Sequence, residues 1–211
     1  MSNIVIQKFG GTSLADTKRF KAVAKIIKET SETGKKVVAV VSAMAGETQR
    51  LIDLAKGVQE IPDPREYDAL ISSGEQVSVA LLAMSLRSEN LKSKSYTAFQ
   101  LGLRTDDYHG KARISSIDTK NLLIDISSNI TPVITGFQGI NEEGDITTLG
   151  RGGSDTSAVA LAVALNAEEC QIYTDVNGVY TTDPNVYENA KKIDKLTFEE
   201  MLELSSLGAK V

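Results

Sequence analysis

A change of hydrophobic period, repeated along the chain, constrains the fold most. Ile4–Lys8 is a short apolar run that gives way to the turn Phe9-Gly10-Gly11-Thr12-Ser13. Phe20, Val23, Ala24, Ile26 and Ile27 then recur at helical spacing. Asp16 or Thr17 suits the cap of that helix, and Gly34 its end. Val37–Val41 is a nearly unbroken β-branched run, the pattern of a strand covered on both faces. Helices are predicted over Thr48–Val58 and Arg65–Leu86, separated by Pro62 and Pro64, with an interruption near Gly74. Further helices are expected over Thr119–Ser127, Ser154–Leu165 and Phe198–Leu207, and strands over Ser95–Phe99, Pro132–Thr135 and Gln171–Thr174. The turn Glu142-Glu143-Gly144-Asp145 between Phe137–Ile140 and Ile146–Thr148 reads as a β-hairpin. Strands alternating with helices predict an α/β fold with a mainly parallel sheet. A length of 211 residues suits one large domain better than two.

Composition narrows the function classes. A net charge of −5 argues against nucleic acid or an anionic membrane surface as partner. No apolar run is expected to reach the ~20 residues of a membrane span. The first ten residues lack a basic start followed by a long apolar stretch, so the cytoplasm is the expected compartment. With Cys170 as the single cysteine, neither an internal disulfide nor a multi-cysteine metal site is available. Cys170 reads as a small buried residue at a strand start rather than a nucleophile.

In open α/β sheets ligands bind beyond the carboxyl ends of the strands. Four glycine- or hydroxyl-rich segments follow predicted strands: Phe9–Ser13, Ser42–Thr48, Leu149–Ser154 and Thr174–Gly178. In the first, Gly10 and Gly11 let backbone N–H groups approach an anion, Lys8 adds a full charge, and a helix start follows. The lysine precedes the glycines, so this is not a Walker A loop. The plain alternative is a tight strand-to-helix turn beside a surface lysine.

The second cluster is Gly150-Arg151-Gly152-Gly153-Ser154-Asp155. Arg151 suits bidentate binding of a carboxylate or phosphate. Ser154 can cap the following helix, and Asp155 can complement its dipole or hold a lysine. In Ser72-Ser73-Gly74-Glu75 an acid follows a glycine inside an apolar helical stretch. If buried, Glu75 needs a cationic partner such as a substrate ammonium; if exposed, it is an ordinary helix carboxylate. The Asp, Asn, Gly and Pro residues of Thr174–Pro184 favour turns, which by itself indicates only a surface connection.

Six segments together resemble the amino acid kinase superfamily, and within it the aspartate kinases. They are KFGGTS at Lys8–Ser13, VVSAM at Val40–Met44, SGE at Ser73–Glu75, TTLGRGGSD at Thr147–Asp155, TDVNGVYTTDP at Thr174–Pro184, and FEEMLEL with GAKV within Phe198–Val211. They stand in the family's order and span nearly the whole chain. The resemblance implies a three-layer αβα sandwich around a mainly parallel sheet. It also implies transfer of the γ-phosphoryl group of ATP, with Mg²⁺, to the side-chain carboxylate of L-aspartate.

On this resemblance Lys8 stabilises the transferred group and Asp155 orients Lys8. Gly10, Gly11, Thr12, Ser13 and Ser42 line the phosphate pocket. Thr48, Glu75, Arg151 and Ser154 face the aspartate, with Glu75 on its amino group. Thr174, Asp175, Tyr180 and Lys210 hold the nucleotide. No protein ligand is assigned to the metal, and His109 is expected to be structural. The family's turn carries Asp and Arg where this chain has Asn177 and Asn185, removing one phosphate contact; Gln49 stands where Asn or Asp is usual. Residues 1–211 are expected to be one catalytic domain, short at its C-terminal end and without ACT-type regulatory domains. A homo-oligomer, or pairing with a longer regulatory subunit, is the expected assembly.

Overall fold

The computed structural model describes residues 3–176, 178–183 and 186–206. It divides into two compact units, Met1–Tyr173 and Thr174–Val211.

The first unit is built on a five-stranded, all-parallel sheet in the order β3-β6-β2-β1-β9. Its strands are β1 (Ile4–Phe9), β2 (Lys36–Val41), β3 (Ser93–Tyr96), β6 (Thr131–Thr135) and β9 (Glu169–Tyr173). β1 lies between β2 and β9, with Lys8 beside Val40 on one side and Ile172 on the other. Every residue of β1 is buried, and so are Val37–Val41 of β2, as a parallel sheet covered on both faces requires.

Alternate residues of the strands feed two separate cores. On one face Phe9, Ala39, Val41 and Val133 pack with Phe20, Val23 and Ile27 of α1 (Thr17–Glu32) and Val79, Leu82 and Leu86 of α4 (Ser73–Ser88). On the other, Ile4, Ile6, Val38, Val40 and Ile134 pack with Ala158 and Leu161 of α7 (Gly153–Ala164) and Leu122 and Ile126 of α6 (Lys120–Ser127). Each fully buried Leu or Ile contributes roughly 1.5–3 kcal/mol relative to exposure. The result is three layers, helices on both faces of a parallel sheet. Asp16 caps α1, its carboxylate accepting the Arg19 N–H at 2.9 Å.

A second, four-stranded sheet has the order β5-β4-β7-β8. The expected hairpin is its β7 (Gln138–Ile140) and β8 (Ile146–Thr148), paired antiparallel. Its other strands, β4 (Leu103–Thr105) and β5 (Ile114–Ile117), were not expected from the sequence. The strand expected over Ser95–Phe99 is also corrected. It ends at Tyr96, because Thr97 and Gln100 form a reciprocal capping box that starts the short helix α5 (Ala98–Leu101).

The expectation about apolar runs needs correction too. Pro64–Ser88 has the length and apolar composition of a membrane span. It breaks at Ser72 into α3 (Pro64–Ile71) and α4, and α4 spends its apolar residues in the core of the sheet. Between β2 and α3 lies α2 (Glu47–Val58). Cys170, half-buried in β9, packs against the α7-side core, and burial pushes its thiol pKa up, which suits an inert side chain.

In the second unit an antiparallel bridge joins Tyr180 and Lys192, flanked by bonds from the Thr181 N–H to Lys191 O (2.9 Å) and the Ile193 N–H to Val179 O (2.8 Å). Thr197 and Glu200 form a capping box at the start of α8 (Phe198–Ser206).

Candidate active site

Backbone hydrogen bonds align the carboxyl ends of four adjacent strands. The Gly10 N–H donates to Tyr173 O (3.1 Å), the Ser42 N–H to Phe9 O (3.1 Å), and the Gly136 N–H to Val41 O (2.9 Å). The loops after β1, β2 and β6 therefore leave the sheet side by side. Two glycines let neighbours come closer still. A Cβ on Gly11 would lie 2.9 Å from Ala43 O, a backbone atom that cannot yield, so the loops after β1 and β2 touch. A Cβ on Gly136 would lie 2.7 Å from both Cβ and Oγ of Ser154, so the first turn of α7 rests on the end of β6.

Lys8 is the next-to-last residue of β1 and points to the α7 face, in phase with Ile4 and Ile6. It is 7 % exposed. Its Nζ lies 2.7 Å from Oδ1 of Asp155 in the first turn of α7. The ammonium also stands over the first glycine of the loop, 3.8 Å from where a Gly10 Cβ would be. A buried cation is thus held by one carboxylate at the edge where strand ends and a helix N-terminus meet. Such a group stabilises negative charge well, because it is already desolvated and oriented.

Glu75, in the first turn of α4, approaches the same loops from the opposite face and is 3 % exposed. Its Oε1 accepts the Ala43 N–H at 2.9 Å. Ala43 therefore bridges Gly11 and Glu75. The other oxygen, Oε2, is buried with no hydrogen-bond partner among the described residues. Burial pushes the carboxyl pKa up to about 7, against the lowering effect of the Ala43 N–H. Buried polar groups are normally satisfied, so an oxygen like this marks a place where a cationic ligand group fits. Thr135 Oγ1, at the carboxyl end of β6, is another buried oxygen without a hydrogen-bond partner among the described residues. Sequence reasoning did not single it out.

The remaining expected residues divide into three groups. Thr12 and Ser13 lie in the 3-10 turn Gly11–Leu14, Ser42 is half-buried at the end of β2, and Thr48 is half-buried in the first turn of α2. Ser154 is buried beside Gly136, and Arg151 is exposed in the turn leading into α7, with no carboxylate within 4 Å among the described residues. Gly10 has its N–H already engaged by Tyr173 O, so Gly11 and Thr12 are left as the loop's candidate anion donors. Thr174, Asp175 and Tyr180 belong to the second unit, where the Thr174 hydroxyl donates to Asp175 at 3.1 Å. Lys210, Asn177 and Asn185 lie outside the described residues. The Gln49 side chain donates to Asp53 one turn along α2, at 2.8 Å.

One group went unnoticed in the sequence. Asp68 of α3 is fully buried and accepts four hydrogen bonds: His109 Nδ1–H (2.9 Å), the Gly110 N–H (2.9 Å), and the N–H (2.9 Å) and hydroxyl (2.7 Å) of Thr148. A detectable signal was its helical phase: Asp68 lies three residues before Ile71 on the inward stripe of α3.

Comparison with known proteins gives a consistent result. The sequence model of the amino acid kinase family matches residues 3–211. An aspartate kinase of Stutzerimonas stutzeri is 56% identical over 208 residues, covering 99% of this chain and 50% of that protein. The chain spans about half the length of the curated relatives it matches. Among solved structures, the aspartate kinase of Synechocystis superposes with a TM-score of 0.88 at 45% identity, covering 99% of this chain and 34% of that one. Aspartokinase III of E. coli, solved with aspartate and ADP, gives 0.86 at 30% identity, covering 96% and 56%.

Proposed function

We propose, from the premise that the chain belongs to the amino acid kinase family, that it supplies the catalytic centre of an aspartate kinase. The reaction is transfer of the γ-phosphoryl group of ATP to the β-carboxylate of L-aspartate, giving 4-phospho-L-aspartate. The observation that carries this proposal is the buried Lys8–Asp155 pair, at 2.7 Å, on the carboxyl edge of the sheet.

Phosphoryl transfer asks little covalent work of the protein; positioning and charge neutralisation dominate. The attacking aspartate side chain is ionised at neutral pH, since an unperturbed Asp titrates near ~3.9, so no general base is required. Lys8 neutralises charge on the phosphoryl oxygens, and Asp155 holds the ammonium on line. Gly11 and Thr12 offer backbone N–H groups to the phosphates, with Ser13 and Ser42 alongside. Glu75 takes the substrate ammonium on Oε2 and becomes fully ionised when it does so. Arg151, free of an intramolecular carboxylate among the described residues, takes a substrate carboxylate in a bidentate fork. Thr48 and Ser154 complete the aspartate side.

Mg²⁺ arrives with ATP, held chiefly by phosphate oxygens and water. Among the described residues no three acidic, His or Cys side chains cluster into a cage for it, and no step is assigned to a protein-bound ion. The proposal extends to a cytoplasmic enzyme that assembles as an oligomer.

The test is trapping of aspartyl phosphate by hydroxylamine. With ATP and L-aspartate the intact protein yields the hydroxamate, with L-glutamate it yields little hydroxamate, and with UMP, read by coupled detection of ADP, it releases little ADP. Equal or greater turnover of glutamate or UMP, or no product with aspartate, overturns the assignment.

A further inference from the structure

Asp68 sits where three segments meet, and two of them lead directly to the proposed aspartate contacts. Along α3, the Ser72 N–H bonds back to Asp68 O at 3.1 Å, closing the last turn before α4 begins and presents Glu75. Across the second sheet, Asp68 takes both the N–H and the hydroxyl of Thr148, the last residue of β8, three residues before Arg151. The third segment is the arm 106–113, pinned by His109 Nδ1 and the Gly110 N–H on Asp68 and by the Ala112 N–H on Thr148 O at 2.9 Å.

The arm is stiffened internally. Asp106 Oδ1 accepts the Arg113 N–H at 3.0 Å, and the Asp106 N–H returns to Arg113 O at 3.1 Å. Gln138 Nε2 adds a bond to Ser72 O at 2.9 Å, tying β7 to the α3–α4 junction. A carboxylate with no exposure that accepts four bonds is a costly group to bury. An apolar residue would pack the same space without that cost, so the carboxylate holds geometry that packing alone does not specify.

We propose that Asp68 and His109 are positioning residues for the aspartate side of the site: their clamp fixes the turn carrying Arg151 relative to the helix start carrying Glu75. The inference rests on the proposed function, because the two ends it aligns are the proposed carboxylate and ammonium contacts. Lys8 and the loop after β1 lie outside the clamp, so loosening it affects aspartate and leaves the nucleotide side alone.

Steady-state hydroxamate assays on the intact protein test this, with KM for aspartate and for ATP measured separately. His109→Ala removes one donor and raises the aspartate KM roughly tenfold, with the ATP KM within about twofold of wild type. His109→Asn places an amide N–H near the Nδ1 position and recovers most of the loss. Asp68→Asn, which turns an acceptor into a donor facing donors, has a larger effect in the same direction. Because it can also unfold the protein, the His109 pair carries the decision. As a second readout, His109 is the only histidine, so its imidazole NMR signals are unambiguous. They shift on adding L-aspartate and stay put on adding ATP alone. Parallel changes in both KM values, an unchanged aspartate KM in folded His109→Ala, or no rescue by His109→Asn each overturn the clamp. If the wild type forms no hydroxamate, the proposed function falls and the clamp falls with it. If the wild type is active and only the His109 results fail, the clamp alone is wrong.

Discussion

Lys8 and Glu75 are buried charges at the same edge of one sheet, reached from opposite faces, and the fold treats them differently. Lys8 has its counter-ion, Asp155 at 2.7 Å, supplied by the first turn of α7. Glu75 has only neutral backbone N–H groups near it, chiefly that of Ala43, and its Oε2 has no hydrogen-bond partner among the described residues. The consequence appears in the protonation of Glu75, whose pKa burial raises from 4.5 to about 7. A cation that must act on a transferring group benefits from being fixed beforehand. A carboxylate that must recognise a cationic substrate gains more when no protein cation competes for it, and the ligand relieves its desolvation.

Breaking the paired side has the largest expected effect. Lys8→Ala lowers hydroxamate formation roughly 1,000-fold or more, while the folded state survives because water entering the space left by the lysine side chain reaches the Asp155 oxygen that it paired, Oδ1. Far-UV circular dichroism and the hydroxamate assay on the same sample check both parts. On the unpaired side, Glu75→Gln raises the aspartate KM about 100-fold. It does the reverse to stability. The folded-state pKa of Glu75 is raised, so its contribution to stability is complete below about 4.5 and is lost as pH climbs through about 7. At pH 8 the neutral glutamine should therefore make the ligand-free protein more stable by about 1–3 kcal/mol. Urea unfolding of both proteins at pH 8 measures this, and a less stable variant would contradict the assigned burial of an ionised carboxylate.

Smaller effects sharpen the contrast. Gly136→Ala drives a methyl to within 2.7 Å of Ser154 and displaces the turn that carries Asp155. It should lower kcat about tenfold and stability by about 1–3 kcal/mol, with the aspartate KM changed less. The smallest effect is on pH dependence. Binding of an ammonium requires ionised Glu75, so the aspartate KM rises about threefold between pH 7.5 and 6.5, a trend absent in Glu75→Gln.

How far the sequence disclosed this architecture differs between the two sheets. β1, β2 and the loops after them were legible because unbroken apolar runs, paired glycines and a lysine stand next to one another. The cluster around Arg151 and Asp155 was legible for the same reason. The second sheet was only half visible. β4 and β5 are three and four residues long with polar residues inside, LRT and ISSI, and take their order from pairing between distant segments. Local capping by Thr97 and Gln100 overrode the strand pattern at Ala98 and Phe99. Asp68 showed only in its helical phase, three residues before Ile71; its partners could not be read because they come from residues 109–110 and 148, far along the chain. Glu75 lay between: its chemistry was stated as two alternatives, and burial selects the one that needs a cation.

The central claim is that Glu75 awaits an ammonium while Lys8 is already paired. Carboxyl-carbon NMR of labelled glutamate, assigned to this position by its loss in Glu75→Gln, tests it directly. The expected result is a midpoint near 7 for the free protein. Saturating L-aspartate should lower it by more than about one unit, and succinate, which has both carboxylates and no amino group, should leave it in place. A midpoint that L-aspartate does not move, or that succinate moves equally, would contradict the account.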